Sequence, residues 1–208
     1  LKREDFIDCV GVELEGGWWS VPEGEHVKTD TTVDAAGDYV GEIVSSPYLV
    51  TTLKGNYGLF DWMKACYPEE IDETCGLHVH LSLQGQGDYG RLCDRLFYDR
   101  FVVDLGREFA DCLSGVDDRD WYMHRIRHGT DYARIGYRDL FEDRYRFINS
   151  SALGRHGTLE FRPFPMPHSA LSACRLVDCL VGYVCGYLST PDVEVTEKLV
   201  RVYSTEVV

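Results

Sequence analysis

Cys75-Gly76-Leu77-His78-Val79-His80-Leu81-Ser82-Leu83 is the stretch from which the rest of the chain can be read. Side chains two apart on a β-strand share a face. As a strand, this stretch puts His78 and His80 on one side and Leu77, Val79, Leu81 and Leu83 on the other, toward a core. Three more short apolar runs carry polar residues that could share the histidine face. Glu13-Leu14-Glu15 offers two carboxylates, Glu42 stands inside Gly41-Glu42-Ile43-Val44, and Glu160-Phe161-Arg162 sets a carboxylate two residues from a guanidinium. Each alone is what a solvated strand face looks like. The even spacing recurs in three strands and an arginine accompanies a glutamate, so we expect these strands to lie side by side around one metal-bearing cleft.

The flanking sequence supplies the scaffold. Val10, Val12 and Leu14 alternate with Gly11, Glu13 and Glu15, which predicts a half-buried strand over 6–15 that stops at Gly16-Gly17. Trp18-Trp19 then reads as a packing or lid element. Further strands are predicted over 27–33 and 39–44, the latter closed by Ser45-Ser46-Pro47, and a helix over 49–67. Gln84 to Asp88 reads as a turn. Leu92, Leu96, Phe97, Phe101, Leu105 and Phe109 predict one long helix over 89–113. Residues 116–145 read as short helices and loops near the mouth of the site. Strands over 144–149 and 158–163, joined through Gly154-Arg155-His156-Gly157, read as a hairpin ended by Pro163, Pro165 and Pro167. A helix over 171–188 buries Leu171, Cys174, Val177, Val181, Val184 and Leu188 on one face, and the tail from Pro191 reads as a short helix and loose end. About six strands joined by short turns favour an antiparallel sheet and an α+β fold, with helices packed on one face and the other face left for a cleft.

Composition narrows the partners. A chain of 208 residues fits a single domain with a full core, and 44% hydrophobic with 27% charged residues is ordinary for a globular protein. A net charge of −14 without a basic stripe argues against nucleic acid. No apolar run approaches the roughly 18 residues that would span a bilayer, so no membrane partner is expected. The first residues lack the apolar stretch of a signal peptide. The eight cysteines show no Cys-x-x-Cys pair, and they are expected to be free thiols in a reducing cytoplasm.

Carboxylates with an imidazole suit Mg²⁺ or Mn²⁺, and an arginine two residues from a metal carboxylate suits a phosphate. That combination describes a nucleotide-phosphate site with metals. The chain has no Gly-x-x-x-x-Gly-Lys-Ser/Thr loop, no His-Glu-x-x-His and no Gly-x-Ser-x-Gly, which argues against P-loop, zincin and nucleophile-elbow chemistry.

Five stretches, in order, resemble the amidoligase family of ATP-dependent carboxylate–amine ligases, relatives of glutamine synthetase and glutamate–cysteine ligase. They are Gly11-Val12-Glu13-Leu14-Glu15, Asp30-Thr31-Thr32-Val33, Gly41-Glu42-Ile43-Val44-Ser45-Ser46-Pro47, Gly76-Leu77-His78-Val79-His80, and Arg146-Phe147-Ile148-Asn149 through Thr158-Leu159-Glu160-Phe161-Arg162. The family's Asp-Gly-Ser-like stretch here reads Asp30-Thr31-Thr32. The resemblance implies a glutamine synthetase-like fold, a curved antiparallel sheet forming a funnel. It implies metal ligation by Glu13, Glu15, Glu42, His78 and Glu160. His80 would touch metal or nucleotide phosphate, Arg162 the ATP phosphates, and Arg146 phosphate or the substrate carboxylate. The implied reaction uses ATP and Mg²⁺ or Mn²⁺ to join a small-molecule or peptide carboxylate to an amine. An inactive family member that binds nucleotide or a protein partner, and a metal-dependent hydrolase, are the alternatives.

Overall fold

The computed structural model describes residues 2–50, 58–114, 118–128 and 146–190. Six strands form one antiparallel sheet in an α+β fold. Its order is β2 (Tyr39–Val44), β1 (Ile7–Trp18), β4 (Gly76–Leu83), β6 (Leu159–Pro165) and β5 (Ile148–Asn149), with β3 (Tyr48–Leu49) pairing to β1 beyond the end of β2. The sheet is not strongly curled, so it does not form the curved funnel expected above. The short strands β3 and β5 have two residues each and give its edges little length with which to wrap round.

Alternation places the core. Val10, Val12 and Leu14 of β1, Leu77, Val79 and Leu81 of β4, and Leu159 and Phe161 of β6 are fully buried on the helix side. Each such side chain contributes about 1.5–3 kcal/mol by leaving water. A β-bulge interrupts β4–β6: His78 alone lies between Leu77 and Val79, while Arg162 and Pro163 lie between their partners Phe164 and Phe161. The extra residue lets Phe161 and Phe164, three apart, both reach the core, and it accommodates a proline that has no N–H to give a ladder.

Several boundaries differ from the sequence expectation. β1 runs through Gly16-Gly17, which pair with Gly41 and Val40, and ends at Trp18. Trp18 is buried and its Nε1 donates to the Cys66 carbonyl at 3.0 Å, whereas Trp19 is exposed. Residues 27–33 form no strand beyond a single bridge of Lys28 to Glu42, because Asp30 accepts from Thr32 N and Oγ1 and turns the chain. Of the helix expected over 49–67, the described residues contain α1 (Gly58–Ala65). Leu49 is an exposed β3 residue, held extended by the neighbouring Val50 N–H donating to Asp8, and 51–57 lie outside the described residues. Pro163 does not end β6, and the β5–β6 connection contains a short helix, α5 (Ala152–His156), closed by Gly157 at φ 69°.

The long helix is also broken. α2 (Gln86–Leu92) begins inside the expected turn, and Asp94 then caps α3 (Arg95–Asp104) by accepting from Leu96 N at 2.8 Å. A π-helical turn, Leu105–Phe109, follows, and a last α turn, Ala110–Cys112. Tyr122 Oη donates to the Leu105 carbonyl at 2.8 Å, supplying a partner where the π turn disturbs the ordinary ladder. Tyr122 belongs to α4 (Asp118–His128), which falls inside the segment expected to hold short helices; 129–145 and the tail from Pro191 lie outside the described residues.

α6 (Ala170–Ser189) is, among the described residues, the one helix long and apolar enough by composition to cross a membrane, and it is mostly buried in the core here. Its Leu171 is exposed rather than buried, while Cys174, Val177, Val181, Val184 and Leu188 face inward as expected. Phe97 and Phe101 of α3, Phe109, Tyr183 and Tyr187 of α6 and Phe161 and Phe164 of β6 form one aromatic cluster behind the sheet, with Phe101–Phe161 and Phe109–Phe164 centroids both 5.5 Å apart.

Candidate metal and phosphate cleft

The opposite face of the sheet is polar. Register aligns its rows: Glu15 stands across from Glu42, Glu13 from His78, and His80 from Glu160. These six, with Arg162, line one cleft of about 160 Å³. The two-residue spacing on separate strands thus brings together seven of the eight residues singled out from the sequence. The eighth, Arg146, lies just before β5 and is not among the lining residues; the rim has Arg155 of α5 instead.

His78 is the hub. It is almost fully buried, with Nδ1 2.9 Å from Glu13 Oε2 and 3.5 Å from Glu160 Oε1, and Nε2 3.4 Å from Glu15 Oε1. His80 Nε2 lies 3.1 Å from the other Glu13 oxygen, and its Nδ1 lies 3.1 Å from Thr158 Oγ1. The Gly76 N–H donates to Glu15 Oε2 at 2.6 Å, and Asn149 Nδ2 to Glu160 Oε2 at 2.6 Å. Arg162 pairs with Glu160, and Lys28 with Glu42.

The electrostatics follow from burial set against hydrogen bonds and opposite charges. Burial alone would raise the Glu13 pKa, but hydrogen bonds and charge from His78 and His80 hold it well below the usual carboxylate range. Burial pushes the Glu15 carboxyl up, against the pull of His78, Arg162 and the Gly76 N–H. Burial would lower His78, yet the charge of Glu15 and the bond and charge of Glu13 raise it despite nearby Arg162. Carboxylates directly opposite on neighbouring strands, as Glu15 and Glu42 are, disfavour the sheet. Lys28, paired with Glu42, offsets that opposition.

Two groups could each hold a metal ion, the ligand atoms within each lying within 4.8 Å of one another: Glu13, His78 and Glu160 form one, and Glu15, Asp30 and Glu42 the other. Oxygen donors with one imidazole fit a hard divalent ion such as Mg²⁺ or Mn²⁺. Asp30 is a ligand candidate that pattern reading did not supply, because it comes from a loop rather than a strand. It arrives through Gly41, whose φ is 149° and whose added Cβ would lie 2.1 Å from the Lys28 carbonyl oxygen. That close approach lets Lys28 and Glu42 exchange two backbone hydrogen bonds of 2.9 Å, and delivers both Lys28 and Asp30 to the cleft. Gly76 acts similarly: a Cβ there would stand 2.8 Å from His78 Nε2 and 2.9 Å from Glu15 Oε2. Ser45, of the Ser-Ser-Pro turn, exchanges bonds with Val12 at 2.9 Å through its Oγ and its N–H, and so fixes the backbone beside Glu13. Asn149 and Arg155, which sat within the quoted stretches without an assigned role, also line the cleft.

No protein-family model matches the chain, and no curated protein and no solved structure matches it.

Proposed function

We propose that the protein is an ATP- and Mg²⁺- (or Mn²⁺-) dependent carboxylate–amine ligase, acting through an acyl phosphate. The observation that carries this reading is the pair of adjacent ligand sets, one around His78 and one around Asp30, with Arg162, Arg155 and Lys28 in the same cleft. Glu13, His78 and Glu160 would hold one divalent ion and Glu15, Asp30 and Glu42 a second. Two such ions would supply positive charge against the negative charge of a triphosphate. Without metal, Arg162 and Lys28 sit on Glu160 and Glu42. Were those carboxylates to hold metal, the guanidinium and the ammonium would be available to phosphate oxygens, for which the planar fork of Arg162 is well suited. His80, braced between Glu13 and Thr158, orients Glu13 and borders the phosphate path.

The reaction is then a positioning problem. A substrate carboxylate would attack the γ-phosphorus, breaking its bond to the β-phosphate oxygen and releasing ADP; an amine would then attack the acyl carbon, losing a proton as phosphate leaves. The chain contributes charge stabilisation and alignment. The fold would be a flatter version of the glutamine synthetase-like sheet, and eight free thiols suit work in a reducing cytoplasm. The dual ligand set also favours a second reading, a two-metal hydrolase. A screen for ADP release with Mg²⁺ against pools of acids and amines, followed by mass analysis of products, separates them. The ligase sustains ADP release over many turnovers only when acid and amine are both present and yields the amide; a hydrolase turns over without nucleotide.

A further inference from the structure

The polar face of the sheet changes character along its strands. On β1 the row of Glu15 and Glu13 continues as Gly11 and Cys9, and on β4 the row of His78 and His80 continues as Ser82. Register keeps these small residues together, with Gly11 across from His80 and Cys9 across from Ser82. Val44 and Pro47 wall the space above them, and the result is a second cavity of about 460 Å³. Small-molecule sites commonly measure about 300–1,000 Å³. Glu13, His80 and His156 line both cavities, so the second adjoins the metal cleft, and the rings of His80 and His156 meet there edge to face with centroids 6.4 Å apart.

The wall of this cavity is mostly apolar, where that of the cleft is mostly polar. Glu13, at the shared mouth, is its one carboxylate among the described residues, and no lysine or arginine among them lines it, so a second charged group on a ligand would have nothing to hold it. Two of its hydroxyls are already engaged. Ser45 Oγ accepts from the Val12 N–H at 2.9 Å, and Thr158 Oγ1 lies 3.1 Å from His80 Nδ1. The two imidazoles at the mouth are the only rings other than proline in the described lining, which leaves the interior without the aromatic platform on which bases stack. An aliphatic chain needs neither a platform nor a hydrogen-bonded edge. Gly11 keeps the floor low: an added Cβ would meet Ser45 Oγ at 3.7 Å and His80 Cβ at 3.8 Å, ordinary contacts, with the rest of a larger side chain left to enter the cavity.

We propose that this cavity receives the aliphatic body of the carboxylic acid that the cleft activates, with the carboxylate at the shared mouth beside Glu13, His78 and Glu160. A divalent ion held by those three would offset the acid's charge. The proposal rests on the ligase reading for the fate of that carboxylate, and it adds the substrate class, a monocarboxylic acid with an apolar tail and no second charge. Each CH₂ group buried there should tighten binding roughly fourfold.

The test titrates acetate, butanoate and hexanoate into the ¹⁵N-labelled full chain with Mg²⁺ and follows the amide shifts, with adenosine as the comparison. Affinity should rise from acetate to hexanoate, and the hexanoate shifts should cluster at Gly11, Ser45 and Ser82. Gly11→Val, a change that a strand accommodates, should fill the cavity and level the three acids while leaving acetate unchanged. Equal affinity for the three acids in the unmodified chain, hexanoate shifts that are absent or lie elsewhere, or adenosine occupying these residues where hexanoate does not would overturn the proposal. The mapping of the unmodified chain needs no variant, so a poorly folding substitution does not remove the test. Hexanoate that maps to the cavity yet supports no ADP release with any amine would remove the ligase reading and leave the cavity assigned. ADP release indifferent to the length of the acid, with shifts elsewhere, would do the reverse.

Discussion

Glu13 and His78 stand directly opposite each other in the β1–β4 register, with His78 Nδ1 2.9 Å from Glu13 Oε2. From that pair the cleft spreads both ways along the sheet, to Glu15 and Glu42 through β1 and β2, and to Glu160 and Arg162 through β6. The carboxylates are held by His78, Arg162 and Lys28, so each substitution in the cleft has a distinct signature.

Glu160→Gln keeps the shape of the side chain and removes one negative charge. Metal affinity should fall, and added Mg²⁺ should restore much of the turnover. Arg162→Ala removes a charge-assisted phosphate contact worth about 1.5–3 kcal/mol, so turnover should stay low at every Mg²⁺ concentration. ATP and Mg²⁺ titrations of ADP release in both variants distinguish the roles. An exposed Glu–Arg pair worth about 0–1 kcal/mol would leave both titrations unchanged.

Asp30→Asn should weaken metal binding by at least about 10-fold, the scale on which even an outer partner of a metal site matters. The Asp30–Thr32 turn can survive, because an asparagine oxygen accepts the same two bonds from Thr32. Mn²⁺ titration followed by calorimetry checks this, and wild-type affinity in Asp30→Asn would remove Asp30 from the ligand set.

Gly76→Ala tests how tightly the pocket is built. The new methyl would meet His78 Nε2 and Glu15 Oε2 at under 3 Å, so one of these side chains must shift. The expected outcome is lost metal affinity with the β4 strand still formed. Calorimetry for metal, with circular dichroism for fold, reads the two effects separately.

Asp118 offers a stability prediction away from the cleft. It is buried at the start of α4 and accepts from His168 N at 2.5 Å, with His168 Nδ1 at 2.9 Å and Ser169 Oγ at 3.3 Å. Burial would raise its pKa, but hydrogen bonds from Ser172 and His168 outweigh that and lower it. Asp118→Ala should cost about 1–3 kcal/mol by stranding these donors. A lowered native pKa means the stabilisation is complete above the unfolded value of about 3.9 and is lost as pH falls through the lower native value. Urea denaturation from pH 7 to pH 2 should show a constant gap between wild type and variant down to about pH 4.5, closing below pH 4. A gap independent of pH would contradict the assignment.

Period-two alternation carried much of this structure into view. It placed Glu13, Glu15, His78 and His80 on the cleft side and Val12, Leu14 and Val79 in the core, because a regular strand leaves side chains no other choice. It could not see Asp30, whose position depends on Gly41 letting a loop approach β2. It also ran the helical pattern from Leu92 to Phe109 through Asp94, since apolar spacing persists across a break that only the capping carboxylate marks. Arg146 lies just before β5 and is not among the cleft lining, and Arg155, from the expected hairpin turn, reaches the cleft instead because that turn coils into α5.

The most direct measurement is Mn²⁺ binding, followed by electron paramagnetic resonance in the presence of a non-hydrolysable ATP analogue. Two ions per chain, magnetically coupled, dependent on the analogue for tightest binding and reduced by Glu13→Gln or Asp30→Asn, are the predicted result. Absence of Mn²⁺ binding at millimolar concentration, or binding indifferent to both substitutions and to nucleotide, would contradict the assignment of this cleft to metals and ATP phosphates.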